Sequence, residues 1–118
     1  MAPEELLRAF GVALAAGDVA SAARLFTPDA TYDEPPAHFA GRQAIAGFVA
    51  DFAARHHNAS FAVLRALTSP DGALAAAEWR WSYTRDADGE ARVYEGACFV
   101  TVRDGLIASW RGFSSRTR

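Results

Sequence analysis

Three turn-forming clusters, Ser69-Pro70-Asp71-Gly72, Asp86-Ala87-Asp88-Gly89 and Arg103-Asp104-Gly105, divide the C-terminal half of the chain into four runs of strand character. The runs are Phe61 to Leu67, Leu74 to Thr84, Ala91 to Val102 and Leu106 to Ser114. Breaks this short favour antiparallel neighbours, so this half is committed to consecutive hairpins. The N-terminal half carries the other periodicity. Leu6, Leu7, Phe10 and Leu14 recur at helical spacing between Pro3 and Gly17. Asp18 is placed to cap a second helix bearing Val19, Ala22, Ala23, Leu25 and Phe26, which Thr27-Pro28 should stop. A short strand from Ala30 to Glu34 is expected to end at Pro35-Pro36, with a loop to Gly41. Ile45, Phe48, Val49 and Phe52 then mark a third helix, from Arg42 to about His57. Asn58 follows as its C-terminal stop, and His56 and His57 sit at the negative end of its dipole.

At 118 residues the chain suits a single domain, 1–118, with one core. Net charge is only −2, and the basic residues are all Arg, scattered without a stripe or run, so nucleic acid is not an expected partner. Cys98 is alone, which excludes an intrachain disulfide. No Cys/His spacing suggests a metal site, and no glycine-rich phosphate loop or nucleophile elbow points to a cofactor. Met1-Ala2-Pro3-Glu4-Glu5 carries acids where a signal peptide carries positive charge, and no apolar run reaches bilayer length. A cytoplasmic protein without membrane partners is the expectation.

Chemistry, if any, starts from Glu34, the carboxylate at the end of the first strand. Side chains alternate along a strand, so Tyr32 and Glu34 share one face and Asp33 the other. Trp79, Trp81 and Tyr83 likewise share a face, as do Glu95, Ala97 and Phe99, with Cys98 opposite them. Alternation alone does not say which face looks inward. On the residues alone, Glu34 reads equally as an exposed strand-end acid and as a cavity acid. Tyr32 reads as a core aromatic with its hydroxyl at a polar rim, His38 as a loop histidine near a mouth, and Cys98 as a small buried hydrophobe.

Several segments together resemble a known family: helix, Gly17-Asp18, helix, Asp29-Ala30-Thr31-Tyr32, Gly41-x-x-Ala44-Ile45, and strands closing on Arg103-Asp104-Gly105-Leu106-Ile107. This order is similar to the SnoaL-like and ketosteroid-isomerase-like branches of the nuclear transport factor 2-like superfamily, over essentially the whole chain. The resemblance implies an α+β fold in which three N-terminal helices pack on a curved antiparallel sheet, forming a cone with an apolar cavity. It puts Glu34 where the isomerases keep their proton-shuttling carboxylate, and turns Tyr32, Trp79, Trp81, Phe99 and Trp110 toward the cavity. Phe10, Phe48 and Phe52 complete the expected aromatic wall, with Tyr32, Glu95 and His38 as helpers around Glu34. It also implies pairing of two copies through the outer sheet face. Phe10 falls where the isomerases carry an oxyanion-binding tyrosine and Ala97 near their protonated aspartic acid. Loss of such a donor removes stabilisation of roughly 2.7–4 kcal/mol in a well-studied protease, which disfavours 3-oxosteroid isomerisation.

Two readings follow. In one, the protein takes an apolar or aromatic small molecule and, without a cofactor, isomerises, cyclises or dehydrates it with Glu34 as proton shuttle. In the other, the aromatics fill the cone and the protein is a non-catalytic ligand-binding or dimerisation module.

Overall fold

Glycine and proline punctuation sets the helical half. In a computed structural model, which describes residues 1–117, helix α1 (Pro3–Ala16) has Pro3 and two acids in its first turn and ends at Gly17, at φ 67°. A left-handed cap is where glycine avoids the Cβ penalty. Helix α2 (Val19–Arg24) starts at Asp18, whose carboxylate accepts a hydrogen bond from the Ser21 amide. It ends earlier than the apolar spacing suggests. Phe26 is already extended and opens strand β1 (Phe26–Glu34) opposite Ile107. Thr27 and Pro28 therefore lie within a strand whose register is irregular before Thr31, a place where a missing proline donor is tolerated.

Residues expected as loop form a short strand, β2 (Ala37–Ala40), antiparallel to β1, with Tyr32 opposite Phe39 and Asp33 opposite His38. Ala37-His38-Phe39-Ala40 lacks the strict apolar–polar alternation that announces a strand. Helix α3 (Arg42–Arg55) is followed directly by β3 (His56–Thr68), then β4 (Leu74–Arg85), β5 (Ala91–Arg103) and β6 (Leu106–Arg116). Asn58 does not close α3. It sits inside β3 at φ 52°, where the register against β4 shifts, a conformation asparagine tolerates better than most residues.

The sheet order is β2-β1-β6-β5-β4-β3, antiparallel except where β1 runs parallel to β6. The helices cover its inner face. Phe10 of α1 is fully buried among Phe26 and Trp110, each 5.1 Å away, and Tyr32 at 5.8 Å. Burial of such a side chain contributes about 1.5–3 kcal/mol. Gly11 brings α1 close enough that a Cβ there would stand 2.3 Å from the Phe61 ring.

Register, not alternation, decides which way β5 faces. Trp79 pairs with Gly96 and Ala77 with Cys98, and directly opposed antiparallel residues share a face. Buried Trp79 thus turns Gly96 and Cys98 inward. Glu95 and Phe99, expected toward the cavity, lie on the outer face instead, Phe99 being 51% exposed.

Candidate active site

Glu34 ends β1 just before the Pro35-Pro36 turn and is half-buried on the inner face of the sheet. Its side chain lies over the backbone of β6. A Cβ on Gly112 would stand 2.6 Å from Glu34 Oε1 and 3.2 Å from Trp110 Nε1, so the absence of a side chain at 112 is what lets the carboxylate fold inward. Desolvation pushes the Glu34 carboxyl above the usual carboxylate range, and the neighbouring Trp110 indole N–H pulls against that rise. The indole nitrogen itself is buried with no acceptor in good hydrogen-bond geometry among the described residues. No Arg, Lys or His compensates the carboxylate among the described residues.

A cavity of about 280 Å³ opens beside Glu34. Phe48 and Phe52 of α3 form one wall; Trp81 and Tyr83 of β4 with Tyr94 of β5 form the other, and Ser114 lies at the edge. Phe52 is 5.0 Å from Trp81 and 5.0 Å from Tyr83, ring centre to ring centre, while Tyr83 stacks on Tyr94 at 6.0 Å. Burial raises the Tyr83 hydroxyl pKa; Tyr94 adds to the rise and Arg92 opposes it. The volume lies at the small end of ligand pockets and suits a one- or two-ring molecule. A larger groove of about 550 Å³ lies between the end of α3 and the β4–β5 hairpin. Its lining carboxylate, Asp86, is exposed and held by His57, whereas Glu34 is partly buried against aromatic rings, so the smaller cavity is the candidate reaction centre.

The residues singled out in the sequence divide into groups. Glu34, Phe48, Phe52 and Trp81 come together at the cavity. Tyr32, 4% exposed, stacks on Trp110 at 5.6 Å behind it. Burial raises its hydroxyl pKa well above the ordinary value, with the Glu34 charge adding to that. Phe10, Trp79 and Trp110, expected on the cavity wall, are core residues with at most 1% exposure, because α1, which carries Phe10, packs against the inner face of the sheet. His38 is exposed and pairs with Asp33, since both point away from the face that carries Tyr32 and Phe39. Glu95 forms an outer-face pair with Arg80 at 3.3 Å, and Phe99 shares that face. Cys98 faces inward, and burial pushes its thiol up to about 12, the Trp79 N–H opposing and Glu34 adding. Such a thiol stays protonated and inert at neutral pH.

Tyr83 and Tyr94 were not singled out for the site. Tyr83 shares its face with Trp79 and Trp81, a signal alternation already carries. Tyr94 needs the pairing with Trp81, which only the register gives. His56, read as a helix cap, is the C-terminal cap of α3, its Nδ1 hydrogen-bonded to the Phe52 carbonyl at 2.9 Å; it also opens β3 and stacks on Phe52 at 4.3 Å. Among the described residues, no three His, Cys, Asp or Glu side chains gather as a metal-ligand set, and no helix is long and apolar enough to cross a membrane.

With the fold and this geometry in view, the pattern of the SnoaL-like domain matches residues 7–110. The chain belongs to the SnoaL-like domain family. No curated protein sequence matches it. Among solved structures this SnoaL-like domain is similar to a provisionally named polyketide cyclase from Pseudomonas putida KT2440. That match has 24% identity and a TM-score of 0.84, and covers 95% of this chain and 90% of that one. It is also similar to a protein of ketosteroid isomerase-like fold from Catenulispora acidiphila DSM 44928, solved in complex with trimethylamine (21% identity, TM-score 0.82, 95% and 85% covered). An LEH-like epoxide hydrolase of M. tuberculosis matches at 18% identity and TM-score 0.82, covering 94% and 80%. At these identities the likeness shows the fold: three helices on a mostly antiparallel six-stranded sheet, of ketosteroid isomerase-like and nuclear transport factor 2-like type.

Proposed function

We propose that this SnoaL-like protein is a cofactor-independent acid–base catalyst acting on a small apolar or aromatic molecule, with Glu34 moving the proton. One observation carries the reading: a half-buried carboxylate without a cationic partner among the described residues, at the edge of an aromatic-walled cavity. Shielding from water raises its proton affinity toward the range in which a carboxylate both takes and returns a proton. In the proposed step Glu34 Oε removes a proton from a carbon beside a carbonyl and delivers it to another position of the same molecule, the aromatic rings keeping water out. The Tyr83 and Tyr94 hydroxyls are the donors available to the charge that develops on the carbonyl oxygen. The names of two structural relatives, provisionally a polyketide cyclase and an LEH-like epoxide hydrolase, favour small-molecule chemistry, ring closure among it.

Carboxyl-carbon NMR titration tests the premise, with Glu34→Gln assigning the resonance. The expected midpoint for Glu34 lies above its ordinary value of 4.5; a midpoint at that value overturns the shuttle.

A second reading rests on the outer sheet face, where Phe99 and Phe113 are 51% and 48% exposed beside the small Ala76 and Ala97. The pairs Arg65–Glu78 and Arg80–Glu95 set opposite charges side by side across the same face. An apolar patch with mixed charges at its rim suits a second copy of itself. Sedimentation velocity is expected to return twice the 12.7 kDa of one chain, and Phe99→Asp to return the monomer; a monomeric wild-type protein removes the dimer.

A further inference from the structure

The groove beyond the Glu34 cavity is charged in a way the proposed proton transfer does not use. Among the described residues its walls carry Arg55, Arg85 and Arg92 against a single carboxylate, Asp86, which His57 holds at 2.5 Å. Arg55 is a surface residue paired with Asp51 at 3.2 Å. Arg85 and Arg92 approach Asp88 and Glu90 only to 3.8 and 3.7 Å, beyond hydrogen-bond length. Glu90 is itself engaged by Arg116.

Arg92 stands apart from the other two. It pairs with Tyr83 across β4 and β5, on the inner face, and its side chain is only 20% exposed. Its Nε is buried with no hydrogen-bond acceptor among the described residues. A buried guanidinium N–H without an acceptor is costly, and a carboxylate is the acceptor that fits its planar fork best. The groove and the cavity also share a wall. His56, lining the groove, stacks on Phe52 at 4.3 Å and meets Tyr83 edge-on at 4.6 Å, and both of those rings line the cavity.

Length sets the size of a molecule that would touch both ends. Glu34 lies over Gly112, which pairs with Cys98, and Arg92 is six residues back along β5. That is roughly 20 Å of strand. Tyr83, which pairs with Arg92, and Tyr94, the next inward residue of β5, both line the cavity, so a two-ring ligand seated against them crosses only part of that span.

We propose that the ligand is an aromatic carboxylic acid, its carboxylate bound by Arg92 and its ring system in the Glu34 cavity. This inference rests on the reading of that cavity as the ligand site. It adds a charge requirement: the acid end is fixed at Arg92, so the opposite end of the molecule is presented to Glu34.

Three isosteric probes test it by calorimetry: 2-naphthoate, neutral 2-naphthamide and the cation 2-naphthylmethylammonium. The acid is expected to bind at least about tenfold more tightly than the amide, equivalent to about 1.4 kcal/mol. Arg92→Gln is expected to reduce that ratio below about twofold while leaving amide affinity in place. Arg92→Lys, which keeps the charge and loses the fork, falls between and carries the test if the Gln variant does not fold. Equal affinity for acid and amide, tightest binding of the amine, or a preference that survives both Arg92 variants overturns the anion assignment and leaves the cavity reading standing. Failure of all three probes to bind at millimolar concentration overturns both.

Discussion

Glu34→Gln is expected to lower the rate of proton exchange into an enolisable ligand by about 10²–10⁴-fold, the usual contribution of a positioned acid or base. The measurement is deuterium incorporation at the α-carbon of 2-tetralone, which reports proton abstraction whatever the final product is. Gln keeps the size and polarity of the side chain and loses only its capacity to carry the proton. Wild-type and variant proteins exchanging at the same rate would remove Glu34 from the chemistry. Stability is expected to move the other way. Burial raises the folded-state pKa of Glu34 above the ordinary 4.5 of an unfolded chain, so the folded protein binds the proton more tightly. The stability associated with that proton is fully present below about 4.5 and is lost as pH rises through the folded-state value. At pH 7 the native protein therefore carries an unpaired, partly desolvated charge that the Gln variant lacks. The Tm of Glu34→Gln should exceed that of wild type at pH 7, and the gain should vanish near pH 4. A gain independent of pH would assign the stabilisation to packing, not to the charge.

What the sequence revealed and what it hid follow one physical division. The apolar spacing of Leu6, Leu7, Phe10 and Leu14 and the three turn clusters are local signals, and the corresponding helix and hairpins are present. Local signals failed where a long-range pairing decides. Phe26 is held extended by Ile107, far away in sequence, and Asn58 is taken up by the bulged pairing of β3 with β4. The same holds at the site. Alternation placed Glu95, Ala97 and Phe99 together correctly but could not say that Trp79 lies opposite Gly96, and that single register turns the set outward. Nor does ring size tell a core aromatic from a cavity wall. Trp79 and Trp110 are covered by α1, whereas Trp81, one step further along the same face of β4, is left beside open space. Arg92 was hidden for a related reason: an arginine near a turn cluster reads as surface, and only its place opposite Tyr83 brings it inside.

Gly112→Ala is expected to approach Glu34→Gln in its effect on exchange while leaving the fold largely intact. A Cβ at position 112 would meet Glu34 Oε1 at 2.6 Å, closer than real Cβ atoms come, so something must move. The nearest atom is the free end of a flexible side chain, which has somewhere to go, and the Trp110 indole nitrogen at 3.2 Å must give by only a few tenths of an ångström. The carboxylate swings toward solvent, leaving the cavity edge and the Trp110 N–H. Gly96→Ala provides the contrast, because its Cβ would stand 2.4 Å from the Phe113 carbonyl oxygen and 2.8 Å from the Trp79 ring. Backbone and a buried indole cannot yield in the same way, and that substitution should cost stability at or above the roughly 1–3 kcal/mol typical of overpacking. For Gly112→Ala the decisive reading is the carboxyl titration: the Glu34 midpoint should fall back toward 4.5 as the group regains water. Exchange should drop with it, and adding Gly112→Ala to Glu34→Gln should remove little more, since both changes act on one group. If Gly112→Ala leaves both midpoint and exchange rate unchanged, the carboxylate does not owe its position to the bare backbone of β6. If exchange falls with the midpoint unmoved, the close approach matters to the ligand and not to the proton.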